Sequence, residues 1–131
     1  MIGKNMASEK TPLRKLRVVN QDKQSQLADC ADIADTSKTR RTGLLKHSGL
    51  NEGEGLWIVP CESVHTFAMN FPIDVIFISR KRKVVKIRPN MVRSRIALSF
   101  RAHSVLELPV GMIEKTGTQP GDQLELVRYE G

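Results

Sequence analysis

Aromatic residues are scarce in this 131-residue chain, at 5% of the total, which leaves little from which to build a base-stacking surface. Cysteine is scarcer still, with only Cys30 and Cys61. Two are too few for a disulfide framework, and a reducing compartment keeps both as thiols, a Cys30–Cys61 bridge being the lesser alternative. No apolar run approaches the roughly 20 residues that span a bilayer. Lys4 and Lys10 are not followed by the apolar stretch of a secretory leader. These absences make the cytoplasm the expected location and exclude a membrane span.

Between Arg80 and Arg101 acidic residues are missing altogether. The chain carries a net charge of +7 and a pI near 9.8, and that stretch holds much of the excess. Arg80, Lys81, Arg82, Lys83, Arg93 and Arg95 are therefore candidate polyanion contacts, for nucleic acid or an anionic lipid surface. A solvated hairpin tip is preferred over a nucleic-acid interface, because spaced aromatics are missing.

What remains is ordinary for a globular domain: 40% hydrophobic and 27% charged residues, enough to bury a core without disulfides. Residues 1–15 read as a mobile, polar lead-in and 16–131 as a single β-rich domain. Leu16–Val19 and, more weakly, Leu27–Ile33 are strand candidates. Asp35-Thr36-Ser37 supplies N-cap chemistry for a helix through Leu44 and Leu45, with Gly49 as its stop. Leu56–Val59 is a strand ended by Pro60. Val75-Ile76-Phe77-Ile78 is a continuous apolar run, which implies burial on both faces. It turns at Ser79–Lys83 into a hairpin partner, Val84–Ile87, that Pro89 ends. Ser104–Leu108 alternates as a half-buried strand does, Met112–Lys115 suits one helical turn, and Leu124–Val127 is the last strand. Many short strands broken by Pro and Gly, with one or two short helices, predict a mainly β fold, a β-sandwich or distorted barrel.

The connection from Pro60 to Asp74 is too long for a tight hairpin and gathers the reactive side chains. Cys61 beside His65 suits a thiol nucleophile with its base, and Asp74 or Glu62 is placed to orient the imidazole. The same side chains resemble a partial zinc set, yet no Cys-x-x-Cys pair or second nearby His supports one, so no metal site is assigned. The more ordinary alternative is that Cys61 fills core space and His65 bonds a backbone carbonyl. Asp74, set against a buried strand, needs backbone N–H donors or an Arg; pinning the preceding loop is its expected role. Glu107 interrupts an apolar strand and needs a partner if it faces inward. Together His65, Met69, Asp74 and Glu107 form a candidate ligand site, a few polar groups among apolar ones. Trp57 reads as core.

Arg41-Thr42-Gly43-Leu44-Leu45, Glu54-Gly55-Leu56-Trp57-Ile58, His65-Thr66-Phe67-Ala68-Met69 with Pro72–Phe77, Leu106–Gly111 and Gly121-Asp122-Gln123-Leu124 occur in one order. In that order they resemble the domain of unknown function 192 family, small bacterial and archaeal proteins, from about Leu16 to Val127. The resemblance implies a compact, mostly β fold with a helix near the Arg-x-Gly-Leu element. It implies no known activity, cofactor or substrate. Many family members are similar to exported proteins, and an aromatic often stands where this chain has Ala68. The leading expectation is an uncharacterised binding or accessory module for a small molecule or polymer segment. A Cys61/His65 hydrolase and a polyanion binder are the alternatives, with cofactor and oligomeric state unassigned.

Overall fold

The computed structural model describes residues 14–43, 48–65, 70–92 and 95–131, with the side chains of 41, 42 and 65 outside the description. The expected lead-in therefore lies almost wholly outside the described residues, as do Leu44, Leu45, Met69 and Arg93. Among the described residues no helix is long and apolar enough to cross a membrane.

Nine strands and two short helices are seen among the described residues. They run β1 (Lys15–Asn20), β2 (Ser25–Ala34), α1 (Ser37–Thr42), β3 (Leu56–Ile58), β4 (Ser63–His65), β5 (Ile73–Ile78), β6 (Val84–Met91), β7 (Ile96–Leu98), β8 (Ser104–Pro109), α2 (Met112–Thr116) and β9 (Leu124–Tyr129). Seven strands form one sheet in the order β6-β5-β8-β3-β2-β1-β9, and β4 pairs with β7 in a separate ribbon. All sheet neighbours are antiparallel except β2 and β3. A parallel pair needs a crossover, and α1 lies within it. Thr36 caps this helix with a reciprocal Thr36–Thr39 box, and Gly43 ends it.

The sheet curls until its two edge strands meet at one end. Lys83 bridges Gln123, Val84 N–H donates to Asp122 at 2.9 Å and Leu124 N–H to the Arg82 carbonyl at 2.8 Å. Elsewhere the edges stay apart, so the sheet is a distorted, unclosed barrel, mainly β with minor helix as expected. Asp122 holds this junction. Its carboxylate accepts from Asn20 Nδ2 at 2.9 Å, Lys23 Nζ at 2.8 Å and Gln119 N–H at 2.9 Å. Burial pushes its pKa up, but the Asn20 and Lys23 bonds outweigh that and hold it below the usual carboxylate range.

Two apolar clusters lie on opposite faces of the sheet. Inside the curl pack Leu16, Leu27, Trp57, Ile76, Ile78, Leu106 and Leu108, closed off by Met112 and Ile113 of α2. On the outer face Leu56, Ile73, Val75, Phe77 and Val105 are covered by Val64 of β4 and Ala97 of β7. This double cover explains the continuous apolar run of β5, all of whose residues are buried. It also corrects the reading of β8 as half-buried: Ser104–Leu108 are all buried, because the β4–β7 ribbon covers the face that alternation assigned to solvent. Pro89 does not end β6, which runs on to Met91. β6 is an edge strand, where a residue without an N–H breaks no ladder bond.

Candidate functional site

Asp74 sits inside β5 rather than before it, opposite an irregularity in β6. Ile73 pairs with Met91 and Val75 with Arg88, so Pro89 and Asn90 together face one residue, as in a β-bulge. Asn90 takes a left-handed φ of 52°, which Asn tolerates, and its N–H donates to Asp74 Oδ1 at 2.8 Å. Asp74 Oδ2 accepts from Gly111 N–H at 3.1 Å and Ile113 N–H at 2.8 Å. Gly111 has φ 98°, a region that favours glycine. The carboxylate thus fastens the bulge and the start of α2. Its oxygens accept from these three backbone donors, while part of the preceding loop it was expected to pin lies outside the described residues.

Glu107 lies on the other face. Its cross-strand neighbours are Leu56 and Val75, both in the outer cluster, whereas Asp74 pairs with Leu108 of the inner one. Of the expected four-residue ligand site, Asp74 and Glu107 lie on opposite faces of the sheet, Met69 falls outside the described residues, and only the backbone of His65 is described. Glu107 is 6% exposed, and burial pushes its carboxyl up to about 7. Gly55 permits the close packing here, because a Cβ would lie 2.8 Å from the Glu107 carbonyl oxygen.

Cys61 has the surroundings of a quiet thiol. Its Sγ donates to the Ser63 carbonyl at 3.0 Å, and burial pushes its pKa up. A nucleophilic cysteine needs the reverse, and Asp74 is not available to orient a base beside it. Both cysteines are free thiols. Among the described residues no three His, Cys, Asp or Glu side chains gather as a metal set.

A better-formed concavity lies where two turns meet. The β5–β6 turn closes through Ser79 N–H to the Lys83 carbonyl and Arg82 N–H to the Ser79 carbonyl, both 2.9 Å. The β7–β8 turn closes through Ala102 N–H to Ser99 at 3.1 Å. His103 N–H donates to Ile78 and Cys61 N–H to His103, both at 2.8 Å, tying the turns and the Pro60–Glu62 segment together. Between them is a cleft of about 670 Å³ lined by Arg80, Lys81, Phe100, Arg101 and His103, together with Cys61 and Glu62. A second hollow of about 400 Å³ shares Ser79, Lys81 and Arg101 with it and extends past Lys83 to Gly121.

Arg80, Lys81 and Arg101 are exposed, and among the described residues none of them is in an ion pair. Burial, then Arg80 and Arg82, push the His103 pKa down, so the imidazole is neutral near pH 7. Its Nδ1 and the neighbouring Ser104 Oγ are buried without a hydrogen-bond partner. Phe100 is 82% exposed on the rim. The other cations of the stretch are used differently. Arg82 turns inward to lie 5.1 Å from the Trp57 ring centroid, with Arg128 at 5.3 Å. Lys86 stands 5.8 Å from the Phe77 ring and donates to the Leu98 carbonyl at 2.8 Å. Arg95 is exposed but lines neither hollow. Of the expected polyanion contacts, Arg80 and Lys81 line the cleft and Lys83 lines the adjoining hollow; Arg101, which ends the acid-free stretch, lines both, while Phe100 and His103 were not singled out by sequence reasoning. Ser99-Phe100-Arg101 carried a signal: an aromatic beside a cation, just before a strand.

Residues 18–126 match the domain of unknown function 192, DUF192, described as uncharacterised ACR. The chain belongs to the DUF192 family. The match spans β1 to β9, so the family pattern is the whole curled sheet rather than the cleft alone. No curated protein matches the chain. Two crystal structures share the DUF192 chain's fold. One is a protein of unknown function from Novosphingobium aromaticivorans DSM 12444, with TM-score 0.73, 24% identity, and coverage of 85% of this chain and 83% of that one. The other, from Sinorhizobium meliloti 1021, is described as a "putative transcription regulator", with TM-score 0.74, 23% identity, and coverage of 86% and 92%. At these identities the likeness is one of fold.

Proposed function

We propose that this DUF192 protein is a binding module for phosphate-bearing polymers, held in the cleft between the β5–β6 and β7–β8 turns. One observation carries the reading: Arg80, Lys81 and Arg101 stand together on the wall of a sizeable cleft and none is neutralised by a carboxylate partner among the described residues. Cations that share one cleft without carboxylate partners concentrate anions there. The cleft volume, about 670 Å³, lies in the usual range for ligand sites. A net charge of +7 adds long-range attraction. The raised pKa of Cys61 favours binding over thiol catalysis.

The test is retention on a phosphate-bearing matrix by two single charge reversals of equal net charge. Arg101→Glu alters the cleft. Arg17→Glu alters an exposed residue of β1 that is not among the cleft's lining. The reading expects Arg101→Glu to elute at clearly lower salt than Arg17→Glu. Equal shifts would mean that retention reports net charge alone, and the cleft would lose its role.

A further inference from the structure

We infer that the polymer is a single-stranded nucleic acid, with one base stacked on Phe100 and its phosphates running along Arg101, Lys81 and Lys83; this rests on the cleft reading above. Phe100 is the first reason. A phenyl ring 82% exposed is costly to leave in water, and it stands on the wall of a concavity that also holds Arg80, Lys81 and Arg101. Rings so placed beside cations are the stacking platforms of single-strand binders, since every base has a π-face to offer. Duplex bases already stack on one another and present no such face.

The second reason is continuity. The cleft and the adjoining hollow share Ser79, Lys81 and Arg101, so the basic wall passes from one to the other without a break and ends beside Lys83 and Gly121. A track of this kind suits a backbone with repeated charges better than one compact anion. The third reason is the placement of Glu62, the one carboxylate among the described residues that line the cleft. Ser99 N–H donates to the Glu62 carbonyl at 2.8 Å, which sets Glu62 next to the Phe100 turn, and Glu62 does not line the hollow that reaches Lys83. Bare polyphosphate gains nothing from an acid there. A base stacked on Phe100 carries exocyclic amino donors, for which a carboxylate beside that turn is a fitting acceptor.

The experiment uses the full chain and three labelled probes: a ten-residue oligo(dC) strand, a blunt duplex of equal length, and inorganic polyphosphate of equal charge. Fluorescence anisotropy reads affinity for the wild type, Phe100→Ala and Phe100→Tyr. The high exposure of Phe100 means its removal leaves the fold intact, and a melting curve checks this. The expected result is preference for the single strand, weakened at least fivefold by Phe100→Ala, restored by Phe100→Tyr, and no effect of either variant on polyphosphate. Equal binding of all three probes, indifferent to Phe100, would overturn the single-strand inference and leave the cleft reading standing. Binding of no probe at low salt would overturn both. Phe100-dependent capture by anionic vesicles without oligonucleotide binding would assign the ring to a lipid surface instead.

Discussion

Replacing Glu107 by Gln should make the protein more stable at neutral pH and change how its stability responds to acid. The buried carboxyl holds its proton up to about pH 7, against an ordinary 4.5. Between these values the folded chain keeps a proton that the unfolded chain has released, so stability falls as pH rises. The interval from 4.5 to about 7, at about 1.4 kcal/mol per pH unit, amounts to about 3 kcal/mol, fully lost above pH 7. Gln is nearly isosteric and does not ionise, so the variant lacks this loss. His103 complicates the wild-type curve: its lowered pKa contributes stability that is present above pH 6.5 and lost as pH falls below it. The difference between the two proteins cancels that contribution. Urea unfolding at pH 4.5, 5.5, 6.5 and 7.5 should give a gap, Glu107→Gln variant minus wild type, that widens with pH by about 3 kcal/mol across the window. A gap that stays constant would refute the assignment of a protonated, buried Glu107.

Asp74→Ala strands the N–H groups of Asn90, Gly111 and Ile113 and should cost about 3 kcal/mol or more, read as a drop in the urea midpoint; a loss under about 1 kcal/mol would mean that water replaces the carboxylate. Cys61, held up by burial and bonded to Ser63, should react with a thiol probe at neutral pH more slowly than free cysteine. Faster labelling would reopen the nucleophile reading.

Much of the sheet was legible because strands announce themselves by apolar runs bounded by Pro and Gly. Val75–Ile78 is the clearest case, and its two-sided burial follows directly from composition. The β4–β7 ribbon was not legible: three residues apiece, with Val64 and Ala97 as the only buried apolar positions described in it, give periodicity nothing to act on. Missing it made β8 look half-buried and made Pro60–Asp74 look like one open loop. Asp74 and Glu107 each read correctly as carboxylates needing an explanation. Their separation did not show, because which face each residue takes depends on the register between β5 and β8. Neighbours 20 residues apart, such as Lys81 and Arg101, meet only through the cross-links of Ser79–Lys83 and Ser99–His103, which no local pattern encodes.

The central claim is a cleft that binds phosphates by charge, and the salt dependence of oligo(dC) affinity tests it most directly. With Lys81, Lys83 and Arg101 engaged, log K should fall against log[salt] with a slope of about −2, and Arg101→Glu should flatten that slope while Arg17→Glu leaves it unchanged. A slope near zero, or the same slope in both variants, would contradict it.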